Sequence, residues 1–146
     1  MNLKNKIDHL MLLQGENIVK PRDSVLKSYS SLDKLNIDKE SDFYNFFSTY
    51  FTYGLIKRVG IESLVEVARE KEFLALNRNL KNSWNIPNEY IIFANDGYSG
   101  GYLYNTEDNS VWNFTLGEQD LLGTDKMKHW DSFYAFLEWY LTSEEE

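Results

Sequence analysis

The sequence predicts an α+β fold, helices packed on a mainly antiparallel sheet, and three observations carry that expectation. Residues 89–115 contain three aromatic-rich, strand-like runs: Tyr90, Ile91, Ile92 and Phe93; then Tyr102, Leu103 and Tyr104; then Val111, Trp112 and Phe114. The links between them, one through Asn95, Asp96 and Gly97 and one through Thr106, Glu107, Asp108 and Asn109, are too short for a parallel crossover. Apolar residues on either side of this meander recur at helical spacing instead. A length of 146 residues with 42% hydrophobic and 16% aromatic content is enough for one domain, residues 1–146, around one sizeable core.

Taken in order, residues 3–13 predict a helix with Leu3, Ile7, Leu10 and Met11 on one face, ended by Gly15. Pro21 and Asp23 announce a second, with Val25, Leu26, Tyr29, Leu32 and Leu35 as its inner stripe. Ser41 is the expected N-cap of a third helix, whose aromatic stripe is Phe43, Phe46, Phe47, Tyr50 and Phe51, with Gly54 as the stop. Residues 55–59 read as a short strand. Residues 61–76 read as a helix turning Leu64, Val65, Ala68 and Phe73 inward, and the polar stretch 77–88 reads as a loop into the meander. After the third strand, residues 116–128 read as irregular, with breaks at Gly117 and Gly123. A final helix starts at Asp131 or Ser132 and carries Phe133, Phe136, Leu137, Tyr140 and Leu141. The tail Glu144, Glu145 and Glu146 is expected to fray.

Charge is unevenly spread. Residues 1–83 carry 13 Lys and Arg against 11 Asp and Glu, whereas residues 84–146 carry 2 against 12, for a total of −8. No basic residue lies between Trp84 and Asp125. A region of this sign repels phosphate and attracts cationic partners, so the expectation is no nucleic-acid binding. No run approaches the roughly 18 apolar residues of a membrane span, so no membrane association is expected. Zero cysteines exclude a disulfide framework and fit a reducing, cytoplasmic setting.

Chemistry-bearing motifs are few. Gly97, Ser99 and Gly101 satisfy G-x-S-x-G, but a nucleophile elbow needs a helix after the serine, and Tyr102, Leu103 and Tyr104 are strand formers. The two histidines, His9 and His129, have no partner at metal-ligand spacing. Gly97, Gly100 and Gly101 lack the Lys and the following helix of a phosphate cradle. The expectation is a protein without an active site, metal or cofactor.

The order of features from Trp84 onward resembles the SUKH superfamily, which includes the Smi/Knr-type domains. The residues carrying this are the strand ending Ala94, Asn95, Asp96, Gly97; the pair Gly100 and Gly101 opening the next strand; the acidic turn at Glu107 and Asp108; Val111 and Trp112; and the closing Ser132, Phe133, Phe136, Leu137. With the upstream aromatic helix, the resemblance covers about residues 22–142. The chain departs from the family pattern in having no Leu-Pro-x-x-Tyr just before the helix of Phe43, and the similar run Ile86, Pro87, Asn88, Glu89, Tyr90 leads into a strand instead. The resemblance implies a non-enzymatic protein-binding domain. The first expectation is an immunity protein that neutralises a bacterial polymorphic toxin, such as a nuclease, and the alternative is an intracellular regulatory or adaptor domain with a cellular client. For a cationic toxin domain the expected contacts are the acidic residues Asp96, Glu107, Asp108, Glu118 and Asp120, with Tyr98, Tyr102, Tyr104 and Trp112 as aromatic anchors.

Overall fold

The structure, a computed structural model, describes residues 2–15, 17–52, 55, 63–95 and 99–142. These residues form an α+β fold with a five-stranded sheet in the order β1-β2-β3-β4-β5, every neighbouring pair antiparallel. The expected meander is its centre: β2 (Tyr90–Asn95), β3 (Gly100–Asn105) and β4 (Val111–Thr115). Two-residue strands close it on either side, β1 (Ser63–Leu64) and β5 (His129–Trp130).

Among the described residues, five helices pack about the sheet: α1 (Leu3–Leu12), α2 (Arg22–Lys34), α3 (Asp42–Thr49), α4 (Glu70–Trp84) and α5 (Phe133–Thr142). Side chains alternate across a strand, so each of β2, β3 and β4 feeds two cores. Ile91, Phe93, Tyr102, Tyr104 and Val111 face α1, α3 and α5, where Phe43, Phe47 and Phe136 pack around Phe133. Phe43 stacks on Tyr104 with centroids 4.3 Å apart and meets Phe93 edge-on at 5.5 Å. Ile92, Leu103, Trp112 and Phe114 face the opposite way, against Leu80 of α4, Ile86 and Met127. Residues 116–128, irregular apart from a 3-10 turn at Gln119–Leu121, cover that second face.

A bulge places both Phe93 and Ala94 opposite Tyr102 and gives both to the first core. The backbones draw close there. A Cβ on Gly101 would sit 2.0 Å from the Ala94 carbonyl oxygen, and one on Gly100 would sit 2.4 Å from that of Phe114. The glycine pair is therefore a requirement of strand packing.

Three expectations need correction. Residues 61–76 are not one helix. Ser63 and Leu64 pair with β2, a turn follows, and α4 occupies residues 70–84, so most of the stretch expected as loop 77–88 is helical. Its inward face continues through Phe73, Asn77 and Leu80, and Asn85 in the left-handed conformation ends it. Asn77 misleads because its amide is buried. It donates to the Ile92 carbonyl at 3.2 Å and accepts from the Ile92 N–H at 2.9 Å, satisfying the edge of β2 that β1 does not reach. Second, α2 does not turn Leu26 and Tyr29 inward; they are exposed, and its buried face is Ser28, Ser31 and Leu32. The serines are small enough for close approach, and Ser31 donates to the Val67 carbonyl at 2.5 Å. Third, α3 ends at Thr49, before Tyr50 and Phe51. The strand expected over 55–59 lies outside the described residues apart from Leu55, which is in no strand. Gly54 and the tail 144–146 also lie outside them.

One fully buried ion pair ties the helices to the sheet edge. The Lys20 ammonium bonds Glu66, Ser28 Oγ at 2.8 Å and the Phe47 carbonyl at 2.7 Å. Glu66 in turn accepts from the N–H of Thr52 at 3.1 Å and that of Ala68 at 2.9 Å. Burial pulls the Lys20 ammonium below its ordinary pKa, and Glu66 offsets part of that pull.

Candidate functional site

Three separate segments meet at the end of the sheet where β3 turns into β4. The first is the α2–α3 connection. Asp38 Oδ1 accepts the Glu40 N–H at 2.9 Å, the Asp38 carbonyl accepts from Ser41 Oγ at 2.7 Å, and Ser41 Oγ caps α3 by accepting the Tyr44 N–H at 3.1 Å. Asp42 follows in the first turn of α3, where a carboxylate also favours the positive end of the helix dipole.

The second segment is the β3–β4 turn. The side chain of Asn105 accepts the Glu107 N–H at 2.8 Å. Asn109 takes a left-handed conformation at φ 66°, which Asn tolerates. Asp108 Oδ1 accepts from both the N–H and the hydroxyl of Ser110, at 3.0 and 2.5 Å. The third segment is the step from β5 into α5. Asp131 has a fully solvent-exposed side chain 3.9 Å from His129, and Ser132 Oγ caps α5 by accepting the Ala135 N–H at 3.1 Å.

Between these segments lies an open depression of about 500 Å³, lined by Asp38, Glu40, Ser41, Asp42, Asp108, Asn109, Asp131 and Ser132. Five lining residues are carboxylates and none is basic. Their field reaches the core. The Tyr104 hydroxyl, which donates to Asn109 at the rim, is pushed up to about 12, first by burial and then by Asp42, Asp38 and Asp108, against a bond to Ser41. Asp42 is itself held above the usual carboxylate range by lost hydration, with Lys4 pulling the other way. Carboxylate acceptors and negative charge dominate this surface, which suits Lys and Arg side chains of a partner. Among the described residues, no group of three or more His, Asp or Glu could hold a metal ion.

The expected contact residues are dispersed. Glu107 and Asp108 stand exposed at this end of the sheet. Glu118 and Asp120 are also exposed, but they follow the far end of β4, roughly 17 Å away by strand rise. They therefore do not share a patch with Asp108. Asp96 and Tyr98 lie outside the described residues. Tyr102, Tyr104 and Trp112 are 2%, 1% and 6% exposed, so the aromatic-anchor expectation is corrected for all three. Each lies on a strand covered on that face: Tyr102 against Phe136 and Trp130, Tyr104 against Phe43, and Trp112 against His129 at 4.3 Å. The Trp112 indole N–H donates to Ser110 Oγ at 2.7 Å, so its one polar group is satisfied inside.

The acids that sequence reasoning missed are Asp38, Glu40, Asp42 and Asp131. The first three come from the half of the chain with a net charge of +2. For those three the available signal was local density, since with Asp33 they make four acids in residues 33–42.

Ser99 leads directly into β3, and its carbonyl accepts the Leu116 N–H at 2.6 Å. His129 lies near the other end of β4, stacked on Trp112 with Nδ1 3.1 Å from the Met127 carbonyl. A nucleophile elbow needs a helix after its serine, and Ser99 enters a strand instead; Gly97 and Tyr98 lie outside the described residues. No helix among the described residues is long and apolar enough to cross a membrane. No protein-family model matches the chain, and no curated protein matches it either.

Proposed function

We propose that this chain is a non-enzymatic protein-binding domain of the SUKH (Smi/Knr) type, and that it acts as an immunity protein, holding a cationic bacterial toxin domain in an inactive complex. The observation supporting this most directly is the depression in which Asp38, Glu40, Asp42, Asp108 and Asp131 converge without a lining cation. A nuclease toxin must present basic side chains to phosphate. A rigid acidic surface competes for those side chains and speeds encounter by steering. Asp38 and Asp108 are held by hydrogen bonds to their own turns, and the serine caps of α3 and α5 fix the backbone from which Asp42 and Asp131 project, so part of the surface is ordered before binding.

The test is growth rescue. The C-terminal domain encoded by a neighbouring gene is expressed in bacterial cytoplasm with and without this protein. Protection together with a purified complex supports the reading, and Glu40→Lys with Asp131→Lys should abolish protection while the protein still folds. Toxicity that this protein does not relieve rejects the pairing. Recovery of a host protein instead, with the acidic end as its contact, would favour the regulatory or adaptor reading.

A further inference from the structure

The acidic end is not the only surface with a defined character. Between α2 and α4 runs a cleft of about 290 Å³ lined by Lys34, Leu35, Leu74, Asn77, Arg78 and Lys81. Its sign is opposite to that of the molecule as a whole, with three basic side chains and no acidic one among the lining residues. On α4, Leu74, Arg78 and Lys81 follow at spacings of four and three, so they form one stripe along the helix.

The parts of this cleft differ in availability. Lys34 donates to Glu70 at 2.6 Å, which neutralises much of its charge. Lys81 reaches beneath the chain, donating to the Pro87 carbonyl at 2.9 Å and to that of Tyr90, which fixes its ammonium in place. Asn77 turns inward to β2 and adds nothing outward. What remains on the surface is the Arg78 guanidinium, a rigid fork of donors matched to a carboxylate, beside the half-buried Leu35 and Leu74.

We infer that this groove is a second binding surface, and that it takes an acidic protein segment carrying an apolar side chain. The fork of Arg78 meets a carboxylate, Lys81 supplies further positive potential, and Leu35 with Leu74 receives the apolar group. A nucleic acid fits less well. Its affinity rests on several phosphates meeting a row of basic side chains, whereas this groove turns a single guanidinium, that of Arg78, outward beside two leucines. The groove is separate in residues and sign from the acidic end, so this inference does not depend on the proposed function.

The experiment is fluorescence anisotropy on the full chain. The probe is a fluorescein-labelled peptide of about twelve residues in which leucine recurs every third or fourth position among glutamates. The expected result is saturable binding that weakens with salt. Arg78→Glu weakens it by about tenfold or more, Arg78→Lys less, and Leu74→Ser by about tenfold, while Asp131→Lys at the acidic end leaves it within about twofold. An all-glutamate peptide binds at least about tenfold more weakly. Thermal melts accompany each variant, and if Leu74→Ser fails to fold, the exposed Arg78 variants decide. Three results would overturn the inference: no saturable binding, binding indifferent to Arg78→Glu, or a single-stranded oligonucleotide that binds more tightly through Arg78.

Discussion

Lys20 and Glu66 are enclosed by protein with 0% and 4% side-chain exposure, whereas Asp38, Glu40, Asp42, Asp108 and Asp131 stand around an open depression with no basic residue in its lining. Both regions are built from charged side chains, and both use hydroxyl and backbone groups to fix them. The difference lies in where the bonds go. The polar atoms of the buried pair are directed at other parts of the fold: Ser28, Phe47, Thr52 and Ala68. Around the depression, Asp38 and Asp108 use some acceptor capacity to shape their own turns and present the rest to solvent. Inside, a charge left over is costly; outside, it is available for recognition. Residue type alone therefore does not identify a functional charge, and the direction of its remaining bonding capacity does.

Breaking the pair is the most severe way to probe this contrast. Glu66→Ala leaves the Lys20 ammonium buried and unmatched and should lower stability by about 3–5 kcal/mol in urea denaturation. A loss below about 1 kcal/mol would mean that water reaches the site. The double variant Lys20→Met with Glu66→Gln leaves no uncompensated charge but strands the Ala68 N–H and the Phe47 carbonyl, so it should recover about 2 kcal/mol of that loss. No recovery would show that the pair is needed as a pair.

Lys81 lies between the two extremes, half-buried, with burial pushing its ammonium down to about 8 and Glu89 opposing. Because the folded form releases this proton more readily than the unfolded form, the stability contribution is fully present above about 10.5 and is lost as pH falls through about 8. Against Lys81→Met, the wild type should therefore gain between pH 8 and 10.5, by about 1 kcal/mol once solvent screening is counted. A difference that stays flat over this window would place the ammonium in water. Least disturbing to the fold are Glu40→Gln and Asp131→Asn, each expected within about 0.5 kcal/mol of wild type in thermal or urea melts. Their effect should appear in partner association, which slows and loses salt dependence. A large stability change instead would move these acids into the structural class.

Much of the architecture was legible where local pattern and tertiary environment agree. The meander, the aromatic stripe of α3 and the apolar stripe of α5 all obey their own periodicity, and neighbouring elements reward it. Legibility failed where a polar residue does an interior task. Asn77 reads as a loop residue but docks on Ile92, and Ser28 and Ser31 form the buried face of α2 while Leu26 and Tyr29 remain outside. It failed too for β1 and β5, since two residues have no period and become strands only through their partners. The acidic end was half legible. Glu107 and Asp108 stood out beside a turn, but Asp38, Glu40, Asp42 and Asp131 join them only through folding, which no count along the chain reports.

The carboxamide of Asn77 has a consequence beyond the domain itself. A sheet margin with free N–H and C=O groups is a template onto which a strand of another molecule can add. At Ile92 both groups are already occupied by a side chain rooted in α4, so an incoming strand would have to displace the helix before it could pair. β1 and β5 extend the same defence, because each offers only two residues to an intruder. The aromatic, apolar strands of the meander, among the most aggregation-prone stretches of the chain by composition, are thereby kept out of reach of neighbouring copies during the protein's working life.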